Sequence, residues 1–285
     1  IPSRSVITRR APFKPWPVMS YQPVVPLGGL VGWSFLNRTL DTQTTAFNSG
    51  AQITRDTEYF EKNIASIETA EQLVSDRRLL RVALGAFGLD DDLNSRALIQ
   101  QVLEGGTQET GALATKMADD RYRDLADAFG FGNLGGRRTA KAGFGAEITA
   151  QFRRVQFEVA VGNQDESLRL AMDAQRNFGD IAKQTGSDEV RWLKIMGNPP
   201  LRKLFETALG LPDNFGQIDL DKQVEVFSER ASRQLGLGDL TQLSESDVQD
   251  AIIERFLLRD QVKGFAAQSS ASVALTLLQN APRLF

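Results

Sequence analysis

Residues 76–89 read DRRLLRVALGAFGL, and the fold prediction depends on this stretch. Its apolar residues, from Leu79 to Phe87, recur at intervals of three and four, as they do along one face of an α-helix. Asp76 is a typical N-cap residue, and Gly88 suits a left-handed C-cap followed by an apolar residue that folds back on the helix. The stretch therefore predicts a short amphipathic helix with a defined beginning and end.

The same pattern recurs 122 residues later, where residues 198–211 read NPPLRKLFETALGL. Asn198 suits an N-cap, and the two prolines after it suit a first helical turn. The matches that continue at this spacing are Asp91/Asp213, Leu93/Phe215, Leu98/Leu220, Gln101/Gln223 and Val102/Val224. We interpret residues 76–102 and 198–224 as an internal duplication of a helix–glycine–acidic turn–helix unit. Residues 122–131 echo its helix-plus-glycine part.

The duplication makes a local prediction that a structure can test. Gly88 and Gly210 should both have a positive φ, which glycine adopts without steric cost. Each turn should let its second helix fold back, so that the apolar faces of both helices share one core. The apolar side chains that should then be largely buried are Leu79, Phe87, Leu201 and Leu209.

Further helical stripes fill most of the chain outside the two copies. Trp33, Leu36, Leu40 and Phe47 form one stripe, and residues 148–159 carry another. The residues expected to begin helices are Asp56, Ser66 or Thr69, Asp165, and a capping box from Ser244 to Asp247. Because no stretch alternates convincingly between apolar and polar residues, we predict an all-α, multi-helical fold.

The chain divides by composition into four regions. Residues 1–26 hold six of the ten prolines and are expected to be an extended or disordered tail. Residues 27–140 form a helical region with the first repeat, 141–186 form connecting helices, and 187–285 form a helical region with the second repeat. Residues 1–18 carry four cations and no acid, and Met19 resembles a natural start, so they are interpreted as an addition without a function.

The composition excludes several classes of chemistry. The 285 residues include no Cys and no His, which removes disulfides, thiolate catalysis, the Ser-His-Asp triad and imidazole metal sites. The net charge of −3 gives no general reason to bind nucleic acid. No apolar run approaches the ~20 residues that cross a bilayer, and we recognise no signal peptide.

Three motifs have a functional interpretation and a simpler alternative. Gly130 to Gly135 matches G-x-G-x-x-G, but a helix is predicted before it where a dinucleotide site needs a strand, so a linker is favoured. Asp90, Asp92 and Asn94 resemble a calcium loop that lacks its Gly and its final Glu, since Ser95 and Gln101 stand there, so we favour the interpretation that the acids cap the next helix.

The third motif is basic: Arg137, Arg138 and Lys141 in a glycine-rich loop could meet phosphate, although an exposed linker is favoured. Acidic residues at helix starts are interpreted as caps and solvated faces. Among the aromatics near the start, Trp16, Trp33 and Phe35 could dock a partner, but Trp33 and Phe47 are expected to face the core. We therefore predict no catalytic, cofactor-binding or metal-binding residues, no metal and no cofactor.

Several segments together resemble a known family. They are residues 32–39 (GWSFLNRT), 56–64 with Tyr59-Phe60, 79–89, 119–122 (DDRY) and 128–131 (AFGF). From about Met19 onward the chain resembles an alphaproteobacterial family of unknown function that is commonly encoded in flagellar gene clusters. The resemblance brings no catalytic motif and implies a process rather than a molecular role.

Three functions follow as expectations. The first is a non-catalytic structural or assembly protein of the bacterial flagellum, which binds protein partners such as flagellar components and is cytoplasmic or exported to the basal body. The second is a cytoplasmic helical adaptor or export chaperone that binds a partner helix in a groove. The third is an enzyme that works without His, which a pocket with two close carboxylates of perturbed pKa would support. The oligomeric state is not predicted.

Overall fold

The structure is a computed structural model that describes the backbone of residues 21–280 and the side chains of residues 21–266. Within these residues the fold is all-α, as predicted, with thirteen α-helices, four short 3-10 segments and no strand. The α-helices are α1 (Gly29–Asn48), α2 (Ala51–Asn63), α3 (Ala70–Ser75), α4 (Arg77–Ala86), α5 (Arg96–Gly105), α6 (Leu113–Lys116), α7 (Asp120–Phe129), α8 (Phe144–Gly162), α9 (Glu166–Lys183), α10 (Asp188–Met196), α11 (Pro199–Ala208), α12 (Leu220–Leu235) and α13 (Ser246–Asn280). The 3-10 segments are Ile64–Ser66, Asp90–Asn94, Phe215–Gln217 and Leu240–Ser244.

Most of the predicted caps are confirmed. The side chains of Thr69, Asp119 and Asp165 accept hydrogen bonds from backbone N–H groups in the first turns of α3, α7 and α9. Asp76 and Asn198 do the same for α4 and α11. These residues cap because their short side-chain oxygens reach donors that have no partner inside the helix.

Two predicted caps are wrong. Asp56 lies in the middle of α2, where it is 3% exposed and pairs with Arg78 and Arg81 of α4. A buried carboxylate with two arginine partners stabilises helix packing rather than a helix end. The capping box is formed by Asp239 and Gln242 rather than at 244–247, where the Ser244 hydroxyl donates to the carbonyl of Thr241.

The proline-rich tail is described only from Tyr21 onward, and the predictions for residues 1–20, including Trp16, lie outside the described residues. Residues 21–26 are not helical, as predicted. They are nevertheless fixed on α1, because the Gln43 amide group accepts from the N–H of Val24 at 2.6 Å and donates to its carbonyl at 3.2 Å. The predicted stripe on α1 is confirmed: Trp33 and Leu36 are buried, and Leu40 and Phe47 pack beside them.

The described residues build two large hydrophobic cores. The first core takes its buried side chains from α2–α5, α7 and the beginning of α8, between Phe60 and Phe152. The second core takes them from α1, the end of α8, and α9–α13, between Trp33 and Leu257. Since Ile148 and Phe152 lie in the first core and Phe157 and Val161 in the second, α8 connects the two.

Each core contains one of the two repeats in a similar setting. We name α3, α4 and α5 the first unit, and α10, α11 and α12 the second unit. In the first unit α3 packs on α4 and α5, and in the second α10 packs on α11 and α12. The buried positions that correspond at the spacing of 122 are Ala70/Trp192, Leu73/Ile195, Val74/Met196, Leu79/Leu201, Val82/Leu204, Ala83/Phe205 and Ala86/Ala208. The agreement therefore begins before Asp76, in the preceding helix.

The two glycine stops also agree. Gly88 has a φ of 68° and Gly210 a φ of 63°, as predicted. The N–H of Leu89 bonds the carbonyl of Leu84 at 3.0 Å, and the N–H of Leu211 bonds that of Glu206 at 2.8 Å. This backward bond from the residue after the glycine is the Schellman motif, which satisfies carbonyls at the helix end.

The agreement ends after the glycine. The helix after the glycine begins eight residues after Gly88 in the first unit but ten residues after Gly210 in the second. The turn that follows Gly210 is therefore two residues longer. The buried positions in these helices correspond as Ile99/Gln223 and Leu103/Phe227, at a spacing of 124. The predicted pairs Leu98/Leu220, Gln101/Gln223 and Val102/Val224 are therefore out of register.

The packing prediction is right in part. In each unit the helices before and after the glycine contribute to one core, but α5 packs on α3 and α7, and α12 packs on α10. Leu79, Leu201 and Leu209 are buried as predicted, whereas Phe87 is only half-buried. Phe87 follows the last turn of α4, where its ring lies at the edge of the first core. That the units arose by duplication stays a prediction.

Candidate functional site

The G-x-G-x-x-G sequence has the role of a connecting loop. It follows α7, which ends at Phe129, and no strand precedes it. Gly132 packs against the backbone of Glu104 and Gly106, and the Asn133 side chain accepts from the N–H of Thr107 at 2.8 Å. The loop thus joins the ends of α5 and α7, as expected of a linker rather than a dinucleotide site.

The calcium-like sequence forms the 3-10 segment Asp90–Asn94. Asp90 accepts a hydrogen bond from Gln156 at 2.8 Å, and Asp92 accepts one from the hydroxyl of Tyr122 at 2.5 Å. These partners point the two carboxylates at different helices, and neither caps α5, so this expected cap is also wrong. In the part of the chain that the structure describes, no group of three His, Cys, Asp or Glu side chains is arranged to hold a metal ion.

The basic loop and the aromatic residues also have structural partners. Arg137 donates to the carbonyl of Ile67 at 2.9 Å and pairs with Glu68, while Arg138 pairs with Asp127. Trp33 is buried and Phe47 packs edge-on against Phe157, so both face the core as predicted. Over the described residues, no helix is long and apolar enough to cross a membrane.

A buried ion network joins α8 to α9 and contains two close carboxylates. Arg176 binds both oxygens of Glu158, at 2.9 and 3.1 Å, and also binds Asp173. Burial raises the pKa of both carboxyls, against the attraction of Arg176. This arrangement was not predictable from the sequence, because Glu158 and Asp173 belong to different helices.

The charged side chains of this network bind mainly one another. Arg176 uses both oxygens of Glu158 and one of Asp173, and the other oxygen of Asp173 is buried. Two acids share one arginine in a region of low dielectric constant, where burial disfavours the ionised form of both carboxyls. The arrangement fits an internal link between helices, and Asp173 and Arg176 also line a cavity of about 280 Å³ between α7, α8 and α9.

A concave surface lies where α11 ends beside α13. We name this the α11–α13 groove; it has a volume of about 540 Å³. Its apolar surface is formed by Leu211, Pro212, Leu258 and Val262. Gly210 places the end of α11 against Arg259 of α13, since a Cβ on Gly210 would lie 1.8 Å from the Nη1 atom of Arg259.

The helix α13 has two different apolar faces. Ile252, Ile253, Phe256 and Leu257 face the second core and are buried. The other face carries Leu258, Val262 and Phe265, which are 50%, 68% and 70% exposed. Their spacing of four and three places them in one row along the helix. An exposed apolar row beside a groove is typical of a surface that binds a protein partner.

Three arginines surround the end of α11. Arg255 donates to the carbonyl of Ala208 at 3.0 Å, and Arg230 donates to those of Leu209 and Gly210 at 3.2 and 3.1 Å. Cations at this position complement the negative end of the helix dipole. Arg255 and Arg259 both donate to the same amide oxygen of Gln234, at 2.6 and 3.3 Å.

We name Arg230, Arg255 and Arg259 the arginine cluster. No carboxylate among the described residues forms an ion pair with any of the three. Partial burial, together with the charges of Arg255 and Arg230, lowers the pKa of Arg259. The cluster was missed in the sequence, although the four-residue spacing of Arg255 and Arg259 places both on one side of a helix.

The fold defines a class of all-α protein that is organised around two hydrophobic cores and presents an apolar groove beside α13. Residues 86–249, more than half of the chain, match the family described as Protein of unknown function (DUF1217). The chain belongs to this family.

Protein AGR_C_984 from the alphaproteobacterium Agrobacterium tumefaciens has a similar crystal structure, with a TM-score of 0.68 and 22% sequence identity. The similarity covers 85% of this chain and 99% of that chain, and at this identity it concerns the fold alone. No curated protein matches the sequence.

Proposed function

We propose that this chain is a non-catalytic assembly protein of the bacterial flagellum that acts by binding other proteins. The observation that carries the binding role is the row of Leu258, Val262 and Phe265 on α13, exposed beside the α11–α13 groove. Because exposed apolar rows are costly in water unless a partner covers them, such a row supports an interaction surface. The flagellar process is supported by the resemblance to a family commonly encoded in flagellar gene clusters.

The proposal is tested by deleting the gene and restoring it in two forms. The deletion strain should swim poorly and grow normally, and the unchanged gene should restore swimming. A Val262→Asp gene should restore it poorly, whereas Arg38→Glu, a change at an exposed site on α1, should restore it fully. Normal swimming and normal filaments in the deletion strain would exclude the flagellar role.

A cytoplasmic adaptor or export chaperone is the second candidate, and the same groove supports it. The two roles predict different locations of the protein in the cell. An assembly protein of the basal body should co-purify with isolated basal bodies and be lost from them when flagellar export is blocked. A chaperone should stay in the cytoplasm in both conditions and bind its partner before export.

An enzyme without His is the third candidate. Asp124 and Asp173, whose pKa values are both raised by burial, line one cavity and favour it, as does the pair of Glu158 and Asp173. The oxygens of that pair are used by Arg176 or buried, which argues for a structural role. A Glu158→Gln variant should therefore change the free energy of unfolding and leave motility intact in cells where the folded protein accumulates. Loss of motility with unchanged stability would instead support a chemical role.

A further inference from the structure

The α11–α13 groove combines an apolar surface with a local excess of positive charge. Its lining includes three cations, Lys203, Arg259 and Lys263, and two acids, Glu206 and Asp213. Both acids are already paired within the chain: Glu206 binds Arg202 at 2.8 Å, and Asp213 binds Lys263 at 2.6 Å. The Lys263 partner holds the pKa of Asp213 below its usual value.

Arg230 and Arg255 lie immediately behind Arg259 and increase this excess. None of the three arginines has a carboxylate partner among the described residues, although the whole chain has three more acids than bases. Repulsion among close guanidinium groups is tolerated here because they donate to carbonyls at the end of α11 and to Gln234. Those bonds fix the positions of the arginines but do not neutralise their charge.

The corresponding place in the first unit is neutralised. Arg121 of α7 donates to the carbonyl of Gly88, as Arg230 donates to that of Gly210. Arg121 also binds both carboxylate oxygens of Asp119, with its Nη2 atom at 2.7 Å from Oδ2. A cation at a helix end therefore does not have to be unpaired in this fold, whereas no described carboxylate pairs with Arg230.

We propose that the α11–α13 groove binds an acidic amphipathic helix of a partner protein. Apolar side chains of that helix would cover Leu258, Val262 and Phe265, and its carboxylates would pair with the arginine cluster, above all Arg259. Helices recognised in grooves commonly present apolar residues at spacings of three and four, which the row on α13 matches. This inference names the partner for the site on which the proposed function rests.

The direct test uses the purified full chain and a designed peptide of about 20 residues, stapled so that it is helical. One face of the peptide carries Leu and the flanking positions carry Glu. Two control peptides share its length: one has Lys in place of Glu, and one has the same composition in an order without an apolar face. Fluorescence anisotropy measures the dissociation constant of each.

We expect the acidic amphipathic peptide to bind at least ~10-fold more tightly than either control. Arg259→Glu and Val262→Asp should each weaken its binding by at least ~10-fold, whereas Arg38→Glu should leave it unchanged. Raising NaCl from about 50 to about 500 mM should weaken the binding, since exposed charges are screened. Circular dichroism checks that each variant is folded. Because Val262 is exposed, Val262→Asp should disturb the fold less than Arg259→Glu.

Three results would overturn the proposal. The Lys peptide could bind as tightly as the Glu peptide, or neither groove variant could weaken the binding of the Glu peptide. Sedimentation could also show a dimer that Val262→Asp dissociates, in which case a second copy of this chain occupies the groove. Because the assay contains no flagellar component, a failure here is distinct from normal swimming of the deletion strain, which would overturn only the flagellar role.

Discussion

The two units use the same backbone solution and differ in how they balance charge. Both end their middle helix, α4 or α11, with a glycine of positive φ and with the same backward hydrogen bond, from Leu89 in the first unit and from Leu211 in the second. Beside the first unit, Asp119 at the start of α7 neutralises Arg121, the arginine that donates to the carbonyl of Gly88. Beside the second, the arginine cluster has no such partner among the described residues. Backbone similarity in this fold therefore does not imply a similar surface charge. The surface beside the second unit, where the charge of the arginine cluster is not neutralised, is the better candidate for binding.

The largest expected effects come from truncating equivalent core residues. Leu79→Ala and Leu201→Ala should each lower the free energy of unfolding by about 2–5 kcal/mol, because both side chains are 1% exposed. Urea unfolding measures the two values. A cost below about 1 kcal/mol for either would show that the two positions are not equivalent core positions.

A second pair of truncations separates the two units. Leu209 is fully buried, whereas Phe87 at the corresponding position is only half-buried. Leu209→Ala should therefore cost more free energy of unfolding than Phe87→Ala, although Phe is the larger side chain. The reverse order in urea unfolding would contradict the packing described for the two helix ends.

Substituting the two glycines should cost less than truncating the core. Gly88→Ala and Gly210→Ala should each destabilise by about 1–2 kcal/mol, because an L-residue is strained at this φ. Only the second change also displaces a cation, since the nearest atom of Arg259 is at 1.8 Å from the new Cβ and that of Arg121 is at 3.4 Å. Gly210→Ala should therefore also weaken binding of the acidic peptide, and Gly88→Ala should leave it unchanged. Equal binding by both variants would contradict a role for the position of Arg259.

The smallest expected difference concerns the helix caps and depends on pH. Asp76→Ala and Asn198→Ala should each cost about 0.5–2 kcal/mol at pH 7. Burial raises the pKa of Asp76, but hydrogen bonds from Tyr59 and the backbone N–H groups of Leu79 and Arg78 outweigh it, so that the pKa is lower than 3.8. A lowered carboxyl pKa stabilises the fold above the unfolded value, and this contribution is lost as pH falls through the folded value.

The cost of Asp76→Ala should accordingly decrease between about pH 5 and pH 2, while that of Asn198→Ala, which does not titrate, should stay constant. Unfolding of both variants across this range, each compared with the unchanged protein at the same pH, measures the difference. A parallel decrease for both would show that Asp76 does not act through its charge.

Local features were predictable from the sequence, and features that depend on distant residues were not. Caps such as Thr69 and Asp165, and the stops at Gly88 and Gly210, follow from interactions within one or two helical turns. Asp56 was misassigned as a cap because Arg78 and Arg81, its partners, lie more than twenty residues away on another helix. The predicted correspondence between residues of α5 and α12 was wrong because the two turns differ in length. Helical periodicity contains no information about the length of a turn.

The candidate site was the least predictable part. The exposed row on α13 has a helical spacing, but spacing alone does not tell which apolar face a core will cover. Similarly, a sequence shows that Arg255 and Arg259 share one side of a helix but not that acids are missing around them. Both conclusions need the positions of α11 and α12.

The two units end α4 and α11 with the same kind of helix stop, and amide hydrogen exchange tests this similarity most directly. The N–H groups of Leu89 and Leu211 each donate a hydrogen bond backward across a glycine, at 3.0 and 2.8 Å. Exchange measured by NMR should show both amides protected well above the rate of an unstructured chain, and each should lose protection in the alanine variant of its own glycine. Rapid exchange of either amide in the unchanged protein would contradict the shared stop.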